Sequence, residues 1–367
     1  MNIIFIRSPF FIEVDETSQI GSKVELFIWN KGTTEPTQPT YTLSKKAPSV
    51  SQSKNNYNIS NYVKEYINII EPTFIDSITV EDNNQWCYVK VKRYKETTAG
   101  NYTLLDETVY VAFNGYTNYL NGKQIESNGT FFTLSNFENK KYKYYLTPGS
   151  SLTPYVNFFV EQGTRRFYLK YTKLDGTSPE IINIVTNPAA DFLYKIPITK
   201  PSNTDFANGN AFEIWEDLAP PTADRLRFRT LFIPECEIKY TPMVCSYINR
   251  TGGWESIAFF KARTENWEVK NKEYNLLPDS LDYNTARGES KFFNYEAKQS
   301  IKINTGWVEE HYNELIKDLM TSETILLDGV PVKLKTMSTD LKTSLQDKMI
   351  NYTIDFEYNF NQINNVI

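Results

Sequence analysis

One histidine, His311, serves a chain of 367 residues. A Ser-His-Asp or Cys-His arrangement would have to pass its proton through that single imidazole. His311 lies between Glu310 and Tyr312 in a run of helical spacing, 305–320, and no G-x-S-x-G elbow accompanies it. That is the setting of a solvated helix residue. Zinc sites usually draw on several cysteines or histidines, more than one histidine and three scattered cysteines supply. Walker and EF-hand patterns are absent from the sequence. These observations predict a protein that is not an enzyme and needs neither metal nor cofactor.

Other residues could bind rather than react. Arg225, Arg227 and Arg229 alternate with Leu226 and Phe228 in RLRFRTLFIP, so the spacing places three guanidinium groups on one strand face and the apolar pair toward a core. Arginine is enriched where subunits meet, and it pairs with carboxylates through two parallel hydrogen bonds. Asp355 and Glu357 share the polar face of the final strand and are candidate carboxylate partners on a neighbouring copy. Trp215 joins this candidate interface from a polar, proline-broken stretch, 200–225, which reads as a long surface excursion and an intersubunit arm. A glycosidase pair among 44 acidic residues, or aromatic stacking on sugars, is the alternative chemistry.

Gly252 and Gly253, in SYINRTGGWES, raise the question of a phosphate loop. Such a loop follows a parallel strand and opens a helix. Here strand patterns lie on both sides, so the glycines serve a tight turn that needs positive φ. Cys236 and Cys245 could pair across a hairpin, but reduced buried thiols fit better. The start, MNIIFIRSPFFIEVDE, lacks the cationic segment, apolar block and cleavage site of a signal peptide.

The elements that position these residues are mostly strands. The chain holds 25 Tyr, 23 Phe and 6 Trp, types that suit a pleated, half-buried surface. Alternation is clear at 23–29 (Val24, Leu26, Ile28), 86–94 (Cys87, Val89, Val91) and 108–113 (Val109, Val111, Phe113). It recurs in a 165–186 hairpin turning at Asp175-Gly176 with Phe167, Leu169 and Tyr171 inward. A 324–334 hairpin turns at Asp328-Gly329, and 349–360 alternates without a break. Helices are predicted at 58–70, capped by Asn58 or Ser60, and at 305–320, capped by Thr305. The fold class that follows is mainly β: tandem antiparallel sandwiches of the Ig/FnIII kind with a few packed helices. Three domains are expected, 1–125, 126–235 and 236–367. The net charge of −5 argues against nucleic-acid binding, and no apolar run is long enough for a membrane helix.

Several blocks together carry a resemblance: IRSPFFIEVDE, YTLSKKAPS followed by NISNYVKEYI, YVAFNGYTNYLNG, SYINRTGGWESIAFFKA, and the run from WVEEHYNELIKDLMTSETILL to DKMINYTIDFEYNFNQIN. In this order they resemble neck and tail ring proteins of the crAss-like, podovirus-like phages that infect Bacteroidetes. The resemblance spans most of the chain. It implies a virion structural protein, assembled in the host cytoplasm and located in the neck or tail. Its partners would be copies of itself in a closed ring, twelve- or sixfold, and adjacent portal, neck and tail ring proteins. DNA would pass through without specific binding, and no membrane would be involved. A host-attachment protein that binds or cleaves glycans is the alternative.

Overall fold

The computed structural model describes residues 2–49, 53–69, 79–80, 85–121, 131–144, 155–160, 166–173, 175–177, 180–185, 192–197, 210–217, 223–234, 239–276, 284–341 and 349–363. The protein is mainly β, with two α-helices, Ser60–Lys64 and Tyr312–Met320, among the described residues. Two compact units divide the chain. One comprises Met1–Pro234 with Ile248–Glu255; the other comprises Glu235–Tyr247 with Ser256–Ile367.

The first unit begins with a five-stranded sheet in the order Ile3–Phe5, Asn101–Phe113, Trp86–Thr98, Gly21–Trp29, Tyr41–Lys46. A period of two sends alternate side chains to opposite faces, and here both faces are used. Val24, Leu26, Ile28, Cys87, Val89 and Val91 line one core, as their alternation predicts, and Ala112 joins them; Ile59 and Val63 close it from the short helix. Trp86, Val111 and Phe113 face the other way and meet Phe132, Leu134, Phe159 and Leu193 in a second core. Trp86 packs edge-on against Phe159 and Tyr88, with ring centroids 4.9 Å apart in both pairs. Val109, expected beside Val111 and Phe113, is exposed instead.

A four-stranded sheet closes that second core, and its other face meets a further five-stranded sheet. A four-stranded sheet runs Thr79–Val80, Phe192–Pro197, Tyr155–Val160, Phe131–Thr133. A five-stranded sheet runs Lys141–Tyr144, Arg225–Pro234, Asn210–Asp217, Arg166–Lys173, Glu180–Val185. Adjacent residues on one strand divide the work. Phe159 faces the first sheet, while Phe158 meets Phe167 of the five-stranded sheet at 5.7 Å. Phe167, Leu169 and Tyr171 point inward as the sequence predicts. Most pairings are antiparallel, but Ile3–Phe5 with Val111–Phe113 and Lys141–Tyr144 with Leu231–Pro234 are parallel, which alternation alone does not reveal.

The second unit is built on a seven-stranded sheet: Trp254–Phe259, Met243–Ile248, Ile325–Leu327, Val330–Leu334, Thr353–Tyr358, Ser290–Asn304, Thr264–Asn275. Asp328 and Gly329 both take positive φ, the geometry of a tight two-residue hairpin.

Several expectations are corrected. The 58–70 helix shrinks to Ser60–Lys64, because Asn55–Asn58 pairs as a strand with Phe11–Val14. Ser60 donates to Ser8 O and accepts from Phe10 N, so its hydroxyl ties the helix start to the preceding chain. The second helix starts at Tyr312, since Val308–Glu309 is drawn into pairing with Met349–Ile350. Thr305 therefore caps nothing; its hydroxyl accepts the N–H of Tyr352. That contact also breaks the 349–360 run at Asn351–Tyr352, although Ile350, Tyr352, Ile354 and Phe356 are all buried. Phe360, expected on the same stripe, is exposed. Eight of the 26 residues of the supposed 200–225 excursion form the strand Asn210–Asp217, paired on both edges; 200–209 and 218–222 lie outside the described residues. Cys236 also lies outside them, while Cys245 is a buried free thiol whose titration burial pushes up.

Candidate assembly interface

The arginine strand carries the first surprise. Arg225–Pro234 pairs antiparallel with Asn210–Asp217, and the register slips between Ile214 opposite Phe228 and Trp215 opposite Leu226. One residue lies between the partners on the arginine strand and none on the other, so Arg227 is the extra residue of a bulge. A bulge reverses which side chains face inward. Beyond it, Phe228, Thr230 and Phe232 are buried; before it, Leu226 turns outward and is exposed, not core as alternation predicts.

The three arginines are thereby separated. Arg229 stays on the outer face, its Nε 3.2 Å from Glu213 Oε1. Arg227 reaches the buried carboxylate of Glu216, donating from Nε at 2.8 Å and from Nη2 at 2.5 Å. Arg225 is exposed and lies opposite Glu216 in the register. A buried carboxylate left without its guanidinium is costly, on the order of 3–5 kcal/mol, so the Arg227–Glu216 pair belongs to the fold.

What remains outside is a patch centred on Trp215. Its indole N–H donates to Glu213 Oε2 at 2.8 Å. Its ring stacks on Tyr168 with 5° between planes and 6.4 Å between centroids. Lys170 Nζ lies 5.3 Å from the same ring, within cation–π range. Ion pairs flank it: Arg166 with Asp217 at 2.8 Å and Arg229 with Glu213. The Tyr168 hydroxyl donates to Asp224 at 2.9 Å, and burial together with that carboxylate pushes its phenol up to about 12.

Asp355 and Glu357 lie in the second unit on Thr353–Tyr358. Both have basic neighbours in their own chain. Glu357 sits 2.9 Å from Lys333 and 3.5 Å from Lys298, which hold its carboxyl below the usual range, Lys333 foremost. Asp355 is 3.9 Å from Lys302. His311 stands at the start of its helix, not in its middle, with Nδ1 3.6 Å from Glu309. No group of three or more metal-ligating side chains forms among the described residues.

The glycine turn is embedded. The Asn249 side-chain oxygen accepts the N–H groups of Thr251 and Gly253, and its amide donates to Leu134 O and Glu255. Gly252 has φ +88°, as a turn requires, but Gly253 answers a different need. A Cβ there would lie 2.4 Å from Leu134 O. Glu255, buried, accepts from the Ser135 hydroxyl and the Asn136 N–H. The tip is a structural latch within the first unit.

The sequence does not announce the most exposed element. Every residue of Thr264–Asn275 is exposed, and so is most of the outer half of Ser290–Asn304. Its trace in the sequence is the mixture of Glu265, Trp267 and Val269 on one side, a face too charged for a core and too apolar for solvent. Neither a protein-family model nor a curated protein matches this chain.

Proposed function

We infer that this chain is a structural subunit of a phage virion, forming a closed ring in the portal–neck–tail assembly around the DNA conduit. The Trp215 patch carries that reading. A tryptophan stacked on a tyrosine, with arginine–carboxylate pairs at its edge, has the composition of an energetic centre between protein subunits. The patch stands on a five-stranded sheet rather than on loops, so its rings are held in place before any partner arrives. The excess of 44 acidic over 39 basic residues supports a wall that lets DNA slide, because each phosphate neutralised adds friction. The resemblance to crAss-like neck and tail ring proteins supplies the place in the particle.

The deciding experiment is a native mass measurement of purified protein and of a Trp215→Glu, Arg229→Glu double variant. A single closed oligomer for the wild type and a folded species of no more than two copies for the variant is the expected pair. A wild-type monomer that instead retains glycans on an array would overturn the ring and favour host attachment, with Tyr168 and Trp215 as the sugar platform.

A further inference from the structure

We propose that the Thr264–Asn275 strand joins the same strand of a second copy, edge to edge and antiparallel, across a two-fold axis at Val269. This strand is the edge of the seven-stranded sheet and its twelve residues are all exposed. Such an edge offers unpaired backbone groups to another chain unless something blocks them. Neither proline nor an inward-pointing charge does so here. With its neighbour Ser290–Asn304 it forms a ribbon extending from the sheet, and a two-stranded ribbon is marginal in water.

The occupant is argued from charge. Inside the ribbon, Glu268 lies opposite Lys298 and Lys270 lies opposite Glu296. Glu268 and Lys270 also bridge along their own strand at 3.3 Å. With Val269 facing Val269 of the second copy, Glu268 falls opposite the second copy's Lys270. The row across four strands then reads Lys298, Glu268, Lys270, Glu296, with signs alternating at every step. The two-fold axis generates the same row again. On the other face, Trp267 (56% exposed) reaches diagonally over Val269 (53%) of the second copy. Phe292 and Tyr295, with rings 6.4 Å apart, extend the apolar side along the partner strand. The register runs from Asn266 to Lys272 and stops before Glu265 would face Glu273.

This contact joins like surfaces, whereas a ring closes through unlike ones, so it stands independently of the ring assignment. Two charge variants test it. Glu268→Lys and Lys270→Glu each place like charges opposite one another, and each should raise the dissociation constant of the pair about tenfold. Mixed together they place opposite charges at both 268–270 positions across the interface, though not within each ribbon, and should re-associate, which light scattering reads directly. Circular dichroism confirms that both remain folded. A Val269→Cys variant should also form a covalent dimer under mild oxidation, and Glu265→Cys should not. The proposal is overturned if the single charge variants associate as well as the wild type, if their mixture does not recover, or if Val269→Cys cross-links no faster than Glu265→Cys.

Discussion

Two consecutive hairpins meet opposite fates. In the first, Met243–Ile248 with Trp254–Phe259, every strand residue is buried; in the strand that follows, Thr264–Asn275, every one is exposed. Both hold aromatic and β-branched residues, so strand preference alone does not separate them. Charge does so in part, with Glu255 the one charged residue in the first and five charged residues in Thr264–Asn275, and what covers each strand does the rest. The first hairpin ends in a tip held by Leu134, Ser135 and Asn136, and Thr264–Asn275 edges its sheet with no further strand beside it among the described residues. Strand propensity therefore reports that a segment can be pleated, not where its side chains go.

The largest expected effect is a matched pair of tryptophan truncations. Trp254→Ala should cost roughly 3–5 kcal/mol of stability, as large buried aromatics do. Trp267→Ala should change it by about 0.5 kcal/mol or less. Urea unfolding followed by circular dichroism compares the two; equal losses would mean that the ribbon is covered within its own chain. Next in size is Gly253→Ala. The added methyl meets the Leu134 carbonyl, so a loss of about 1–3 kcal/mol is expected in the same titration. A neutral result would show that the tip can lift from its latch.

The sheet carrying Trp215 lies between these extremes, half-covered and polar at its edge. The folded Tyr168 phenol titrates at about 12, above the ordinary value near 10. A raised phenol stabilises the fold fully below the unfolded value, and that contribution is lost as pH rises from about 10 through 12. Ultraviolet titration should show late tyrosinates, Tyr41 and Tyr94 among them, and the Tyr168 component alone should move earlier in Asp224→Asn. If the midpoint stays put, burial alone sets it.

The smallest effect falls where the ribbon meets its sheet. Glu357 is held low by Lys333 and Lys298, so its stabilisation is present above the unfolded carboxyl value and is lost as pH falls through the folded one. Lys333→Met should move the acid-unfolding midpoint slightly upward. No movement would mean that Lys298, on the ribbon strand, suffices alone.

How much of this was legible beforehand depends on the range of the interaction. The inward faces of 23–29, 86–94 and 165–173 follow from a period of two, because pleating fixes alternate side chains within one strand. The Asp328-Gly329 turn follows from two residues that tolerate positive φ. The Trp215 patch was half legible: its arginine and tryptophan stood out, but Tyr168 and Lys170 join them only through strand pairing.

By itself, then, the sequence determined a mainly β chain with several of its strands and turns. Tertiary structure alone decided the rest. A one-residue slip at Arg227 turned Leu226 outward and tied that guanidinium to buried Glu216. Pairing with Met349–Ile350 kept Val308–Glu309 out of a helix, and pairing with Phe11–Val14 did the same for Asn55–Asn58. Each outcome depends on a partner strand at least 40 residues away in sequence, or on a register one residue off. A pattern read along the chain holds the period of a strand; it does not hold the identity of the neighbour that gives the strand its faces.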